Sequence, residues 1–377
     1  MTPVTTQSGS NGSVDTRELA RAGWAVNRWG DLGGGRFAPD EVGLPTYHRM
    51  WRTDPTVKAG LSLLSHTVSA RIGDYANPAR PDVEAFVRYA LAKIEGTLPG
   101  VVRGMLTAFW AGFSVAELVW RFVDEGAFRG KVTLRKVKAL HPLSIYPDGM
   151  MTDALGNVTA VRQRLAPDDE VTLPVGKTLR YVFHAEEDPV WGMSLLRPVY
   201  KSWFCKDAVL KFWNVYLERY SMPIIVAEVP PGTSKCPVHG VEETNTQVFD
   251  ELLQTIAVRT SIAYEKPVEG GPPHLEFLEA QRGGAEGEYR NAVRYHDAQI
   301  LLGLFQPALL MLEPEHASRA QAETQLQVFE QTAAAITREV RETLIDGLVR
   351  PLVDLNFRGV GEYGGFDQER GNEDMKK

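Results

Sequence analysis

Cys236 and His239 form a C-x-x-H pair, and a thiolate and an imidazole at that spacing can ligate zinc. A closed zinc site needs four ligands, and no second pair stands nearby in the sequence, so no metal is expected and Cys236 reads as a loop residue. The eight histidines are scattered. His296 falls on the inner face of a predicted helix, where a lone imidazole packs far more often than it acts as a base. Glu186–Glu187 and Asp168–Asp169 are adjacent pairs whose side chains point in different directions, so they read as solvated loop charges rather than acid/base partners. There is no G-x-x-x-x-G-K-[ST] loop, no G-x-G-x-x-G after a strand, no H-E-x-x-H and no G-x-S-x-G elbow. No catalytic residue and no cofactor is expected, and the chain does not read as an enzyme.

The remaining chemistry is ionic. Arg197, Lys201 and Lys211 cluster on one face of a predicted long helix, a narrow basic stripe suited to phosphate contact or, more blandly, to solvent. The whole chain points the other way. Its 377 residues carry a net charge of −7, whereas a free-standing DNA binder usually shows a basic excess. Hydrophobic residues at 44% and charged residues at 24% are ordinary globular values, enough for two domains or one extended fold. Two cysteines, Cys205 and Cys236, are too few for a disulfide framework and fit a reducing compartment such as cytoplasm. The N-terminus lacks the pattern of a signal peptide, and the most apolar run, Gln299 to Leu312, carries interior Gln and Pro, so no membrane segment is expected.

The elements that must position these residues change character along the chain. Residues 1–40, rich in Ser, Thr, Gly and Asn, predict a flexible arm. Thr53 or Asp54 before Pro55 predicts a capped helix, and a second helix is expected over roughly 80–96. Strands are expected in GFSVAELVW, VTLRKVKALH, VTAVRQRLA and LRYVFHA. From Trp191 to Tyr220, Leu196, Val199, Trp203, Lys206, Leu210, Trp213, Leu217 and Tyr220 follow a 3,4 alternation, with Lys206 interrupting an apolar seam. Short strands around a helix near 244–259 come next, then a helix from about Ala285 to Gly303 with Tyr289, Val293, His296 and Ile300 on one face. A last periodic run from Ser318 to Asn356 would span roughly 58 Å if straight, at 1.5 Å per residue, with Pro351 expected to kink or end it. The fold class is α+β, mainly helical.

Several segments, in order, resemble one family. GFSVAELVW (Gly112 to Trp120) looks like a G-F-S-x-x-E-[IL]-x-W signature. HPLSIYPD (His141 to Asp148), LPVGK (Leu173 to Lys177) and GMSLLRPVYKSWFCK (Gly192 to Lys206) follow, the last with Ser194 where the family often has Gly. ERYSMP (Glu218 to Pro223) has Ser221 in place of a usual Gly. P-P-G-T at Pro230 to Thr233, HDAQI at His296 to Ile300, S-x-A-x-A-E from Ser318 and a late PLVDLN close the set, covering about residues 50 to 357. Together they are similar to the portal proteins of Mu-like tailed phages and related prophages.

That resemblance implies a ring oligomer of about twelve subunits closed by a heterologous interface, set at the portal vertex of a virion capsid and assembled in the host cytoplasm. It implies a portal fold: an N-terminal part of the wing at 41–188, a first stem helix at 189–221, a small α/β clip at 222–283, a second stem helix at 284–303, a tunnel loop at 304–317, a long wing helix at 318–357 and a flexible tail at 358–377. Because the chain stops soon after Asn356, a large C-terminal crown is expected to be absent or reduced. Double-stranded DNA would pass through the channel without sequence specificity during packaging, retention and ejection. The further partners implied are the terminase large subunit, the major capsid or scaffolding protein and a head-tail adaptor. Gln306, Pro307, Glu313 and Arg319 are the candidate tunnel lining, Arg197, Lys201 and Lys211 the candidate stem charges, and Pro230, Pro231, Gly232 and Thr233 the candidate contact for terminase or connector. The rival readings are another head-tail connector or capsid-morphogenesis protein and, from a different class, a nucleic-acid-processing enzyme.

Overall fold

The computed structural model describes residues 42–166, 168–186, 188–221, 224–256, 261–265, 274–278, 285–307 and 319–367. The expected arm at 1–40 lies outside them. The chain is a mixture of helix and sheet and divides into two compact units, one running to Trp203 and resuming at Ala298, the other spanning Phe204–Asp297.

The first unit opens with α1 (Leu44–Thr53), a helix the sequence reading does not include, which buries Leu44, Tyr47 and Met50 at threefold spacing. Its partner α2 (Pro55–Ala70) starts where the sequence predicts. The carboxylate of Asp54 accepts the N–H groups of Thr56 and Val57, and Pro55 occupies the first turn, where no amide hydrogen is needed. β1 (Asp74–Ala76), α3 (Pro81–Ala92), α4 (Leu98–Met105) and the single turn α5 (Ala108–Ala111) lead into β2 (Phe113–Phe122). β2 is the centre of an antiparallel sheet, between β3 (Val132–Leu140) and β7 (Thr178–Val182). Between Val119 and Trp120 the register slips past Arg135, and the bulged residue is held by Glu95. The Glu95 amide donates to the Arg135 carbonyl at 2.8 Å and the Arg135 guanidinium to the Glu95 carboxylate at 2.8 Å. β4 (Met150–Thr152), β5 (Val158–Ala166) and β6 (Asp169–Pro174) form a second antiparallel sheet. Glu117, the carboxylate inside an apolar strand, finds Lys177 at 3.5 Å, so the charge of one motif is met by the lysine of another.

One crossing organises this unit. Gly112, at φ +89°, ends α5, and Gly192, at φ +65°, precedes the long helix α6 (Leu196–Ser221). A Cβ on Gly192 would overlap the carbonyl oxygens of Phe183 and Gly112, and one on Gly112 would lie 2.7 Å from the Trp191 oxygen. In that space the Phe183 amide donates to the Gly112 carbonyl at 2.8 Å and the Met193 amide to the Phe183 carbonyl at 2.9 Å. Ser194, buried, donates its hydroxyl to the Trp110 carbonyl at 2.7 Å and accepts the Leu196 amide at 3.0 Å. The start of α6 is thus pinned to the α5–β2 turn by backbone and cap together.

The long helix α9 (Arg319–Leu344) crosses the same unit. Phe329, Ala333, Ile336, Val340, Leu344, Leu348 and Leu352 are buried along the predicted stripe, each large member contributing roughly 1.5–3 kcal/mol. Leu326 and Leu355, at its ends, are exposed. Arg341 reaches the end of α2 and donates to the carbonyls of Arg71 at 2.6 Å and Ile72 at 2.9 Å, occupying acceptors a helix end leaves open. Pro351 does not stop the run where it stands. The turn before it, Ile345–Val349, widens to a π-helix, and a final turn, Arg350–Asp354, carries the proline at its start. Asn356 then donates to the Val132 carbonyl at 2.8 Å and accepts the Val132 amide at 2.7 Å, a side-chain substitute for strand pairing on β3.

The tail expected to be flexible from 358 is anchored as far as 367. β13 (Gly365–Asp367) pairs antiparallel with β1, Phe366 is buried against Tyr75, and the Tyr75 hydroxyl donates to the Tyr363 carbonyl at 2.6 Å. The correction has a simple cause: the Gly-rich composition supplies the left-handed Gly364 turn, not disorder.

The second unit contains the end of α6, the start of α8 (Ala285–Gly303) and the segment between them. β8 (Ile224–Val229) is central, parallel to β11 (Ser261–Glu265) and antiparallel to β12 (His274–Leu278). The parallel pair requires a crossover, which is made by a hairpin, β9 (Thr233–Lys235) and β10 (Glu242–Thr244), and by α7 (Asn245–Ile256). Thr244 and Gln247 make a reciprocal capping box at the start of α7. Ala227, Val229, Leu253 and Phe249 form the small core. Between α6 and α8 Trp213 stacks on Tyr289, and Lys206 meets Asp297 at 2.6 Å with side chains only 6% and 17% exposed. The lysine that breaks the apolar seam is therefore neutralised from the facing helix.

Gly192→Ala should lower stability well beyond Gly359→Ala. Both alanines bear the left-handed backbone cost of roughly 1–2 kcal/mol, but Gly359, at φ +67°, has open space around it; equal urea midpoints for the two variants would contradict the crossing. Lys206→Met alone should cost about 3–5 kcal/mol because it removes the cation that a buried carboxylate faces. The double variant Lys206→Met/Asp297→Leu should recover most of that loss in the same denaturation assay.

Candidate functional site

The sequence-selected charges on α6 fall into different surroundings. Arg197 is half-buried, and Lys201 is exposed near the pinned start of the helix. Lys211 is 73% exposed and forms an ion pair with Asp207 one turn earlier, so part of its charge is met within its own helix. Arg197 and Lys201 belong to the first unit and Lys211 to the second.

The Pro230–Thr233 turn stands on an ordered base. Gly232 adopts φ +138°, and Asn245, the first residue of α7, donates its amide side chain to the Pro230 carbonyl at 2.8 Å and its backbone N–H to the Gly232 carbonyl at 2.9 Å. The Ser234 hydroxyl donates to the Asn245 side chain at 2.6 Å. Pro231, Gly232 and Thr233 are exposed above this base and Pro230 is half-buried.

Gln306 is not where its expected role requires. It is 4% exposed, and its amide nitrogen donates to the carbonyls of Gly60 and Leu304, each at 3.1 Å. Pro307 is buried beside it. Gly60 permits the approach, since a Cβ there would lie 2.8 Å from Leu304. A side chain held by two main-chain acceptors under α2 does not present its amide to a polyanion, so Gln306 anchors the root of the loop. Glu313 lies outside the described residues, and Arg319 begins α9.

His296 is packed, as expected of a lone helical imidazole. Its Nδ1 is buried and has no partner among the described residues, and burial holds its pKa below the ordinary histidine value against the raising influence of Asp297. Cys236 lies in the loop after β9, as the sequence predicts, but the expectation that no further donors stand near it is corrected. Cys236 is buried, and Glu243 on β10 and Glu251 on α7 join His239 beside it, the four donor atoms all within 4.8 Å of one another. Sequence spacing missed the carboxylates because they arrive from a strand and a helix rather than from a second C-x-x-H pair; the one local hint is that Glu243 follows His239 by four. The sequence also gave no pointer to Asp297 as the partner of Lys206, since nothing in it aligns α6 with α8.

No helix among the described residues is long and apolar enough to cross a membrane. No curated protein sequence matches the chain. Among solved structures, the chain is similar to one in the virion of a native gene transfer agent particle, with TM-score 0.55 and 11% identity over 83% of this chain and 82% of that one. It is similar to a chain in the neck of an empty gene transfer agent particle computed with C6 symmetry, with TM-score 0.57 and 12% identity over 82% of each chain. A third likeness is to the neck of a native particle computed with C12 symmetry, at TM-score 0.56 and 12% identity over 84% of this chain and 82% of that one. At such identities the likeness establishes the fold. The sequence profile described as the portal protein of Mu bacteriophage matches residues 44–377, so the chain, from its first described helix onward, belongs to the Mu-like phage portal protein family.

Proposed function

We propose that this chain is one subunit of a ring of about twelve at a capsid vertex of a tailed phage, prophage or phage-like particle, through which double-stranded DNA is packaged, retained and ejected. The observation that carries the reading is the family match along residues 44–377. The neck particles that share its fold were computed with six- and twelvefold symmetry, which favours a closed ring here as well. Family and fold both point to a structural role rather than an enzymatic one.

The surface supports an assembled state. Phe212 and Val215 on α6, Tyr295 and Leu302 on α8, and Leu326 and Val328 on α9 are all exposed in the single chain. Large apolar side chains repeated along long helices mark surfaces that neighbouring subunits cover. In this reading α6 and α8 are the stem, residues 222–283 the clip, and the Pro230–Thr233 turn meets terminase during packaging and the head-tail connector afterwards. The loop between α8 and α9 faces the channel through Glu313 and Arg319, with Gln306 and Pro307 as its buried root.

Electrostatics then favours conduction over gripping. A twelvefold ring at −7 per chain carries about −84, which repels phosphate, and exposed lysines such as Lys201 and Lys211 offer at most weak, register-free contacts. The purified full chain should give rings of about 500 kDa, twelve copies of 41.9 kDa, with a central hole in negative-stain averages. A chain that stays monomeric or dimeric under all assembly conditions by native mass spectrometry would overturn the ring and make a nucleic-acid-processing activity the next reading to pursue. Linear duplex DNA should bind the rings weakly, without the steep loss of affinity on adding salt that marks a basic groove; a steep salt slope in a filter-binding titration would contradict the non-gripping channel.

A further inference from the structure

Cys236 closes a short loop after β9. Its amide donates to the Val241 carbonyl at 2.8 Å and its carbonyl accepts the Gly240 amide at 2.8 Å, while Gly240 takes φ +76° to complete the turn. This wraps His239 back over Cys236. From the two flanking elements come Glu243 and Glu251, on β10 and α7. The Cys236 thiol donates to the Glu251 Oε2 at 3.2 Å, His239 Nε2 lies 2.8 Å from that oxygen, and His239 Nε2 lies 3.6 Å from the Glu243 Oε1. Four donors on zinc, at bond lengths of about 2.0–2.3 Å, stand roughly 3.3–3.8 Å apart along the edges of a tetrahedron. The observed separations of 2.8, 3.2 and 3.6 Å run from just below that range into it, and no two donor atoms are more than 4.8 Å apart.

We infer that Cys236, His239, Glu243 and Glu251 form a binding site for one divalent transition-metal ion of the zinc class, tying the β9–β10 hairpin to α7. The donor chemistry selects the metal. A thiolate with an imidazole suits zinc, cobalt or iron, whereas calcium and magnesium take oxygen-only shells. The thiol is buried at 1% exposure, while His239, Glu243 and Glu251 retain 37%, 27% and 42% of their side-chain exposure, so an ion can reach the donors from solvent. Without metal, protons fill the same positions: the thiol and the imidazole N–H both donate to Glu251. On binding, the Cys236 thiol proton leaves to solvent, the imidazole shifts its proton to Nδ1 and coordinates through Nε2, and the carboxylates bind as anions. One thiolate and two carboxylates around a dication leave a net charge of −1. The metal would stiffen the hairpin that carries Thr233 and, next to it, the exposed Pro231–Gly232 turn.

The site stands whether or not the chain forms rings, and its test is independent of ring mass. The full-length chain is purified, equilibrated with cobalt(II), desalted, and read by elemental analysis and absorption spectroscopy. About one cobalt per chain, with the intense visible bands of tetrahedral cobalt and a thiolate-to-cobalt charge-transfer band, is expected. Cys205→Ser should keep that band, whereas Cys236→Ser and His239→Ala should lose it and the stoichiometric metal, and Glu251→Gln should weaken retention against a chelator at least tenfold. Should Cys236→Ser fail to fold, His239→Ala and Glu251→Gln, which alter partly exposed side chains, decide the matter alongside Cys205→Ser. No cobalt retained by the folded wild-type chain, or a band that persists in His239→Ala or disappears in Cys205→Ser, overturns the assignment.

Discussion

The structure depends on a close approach of main chain to main chain. Gly112 and Gly192 come from distant parts of the sequence, and each occupies left-handed backbone against the other's carbonyl region, where a single methyl group has no room. The amides of Phe183 and Met193 close the gap with hydrogen bonds, and the direction in which α6 leaves the sheet is set there. Ser194 replaces a glycine the family often has, yet it fits because its hydroxyl is consumed by the Trp110 carbonyl and the Leu196 amide.

The same economy governs charge. Lys206 occupies a position that periodicity assigns to a hydrophobe, and Asp297 compensates it from α8. Such a pair contributes little net stability compared with an apolar pair, but it penalises every shifted alignment of the two helices, because any slip separates two buried opposite charges. Glu117 and Lys177 do a milder version of this between β2 and the turn after β6. Gly303 plays the steric counterpart, since a side chain there would overlap Val199 and force α8 away from α6.

How much of this the sequence disclosed depends on the range of the interaction. The Asp54 cap, the β2 and β3 strands, the buried stripe from Phe329 to Leu352, the start of α7 and the limits of α8 are set by neighbours within a few residues, and composition or spacing reveals them. α1 escaped because its ten residues follow a Gly-rich stretch and carry only three buried positions. A polar residue in an apolar loop reads as functional, which points Gln306 and Pro307 to the channel, while the acceptor that claims Gln306, the Gly60 carbonyl, is distant in sequence. The carboxylates beside Cys236 were missed for the same reason: a strand and a helix deliver them, and neither register is visible before the fold is known. Short-range chemistry was legible, and long-range partnership was not.

The pairing of β1 with β13 has a further consequence for how the molecule comes into being. Asp74 and Asp367 are partners, so the first unit cannot be finished until nearly the last described residue has been made. The second unit, by contrast, is one unbroken stretch from Phe204 to Asp297 and has all its strands in hand while the rest is still being translated. During synthesis the chain therefore carries a completed central module and an open edge at β1 until β13 has been made and covers it. A subunit truncated late in translation is marked as incomplete by an exposed strand, before it can be built into anything larger.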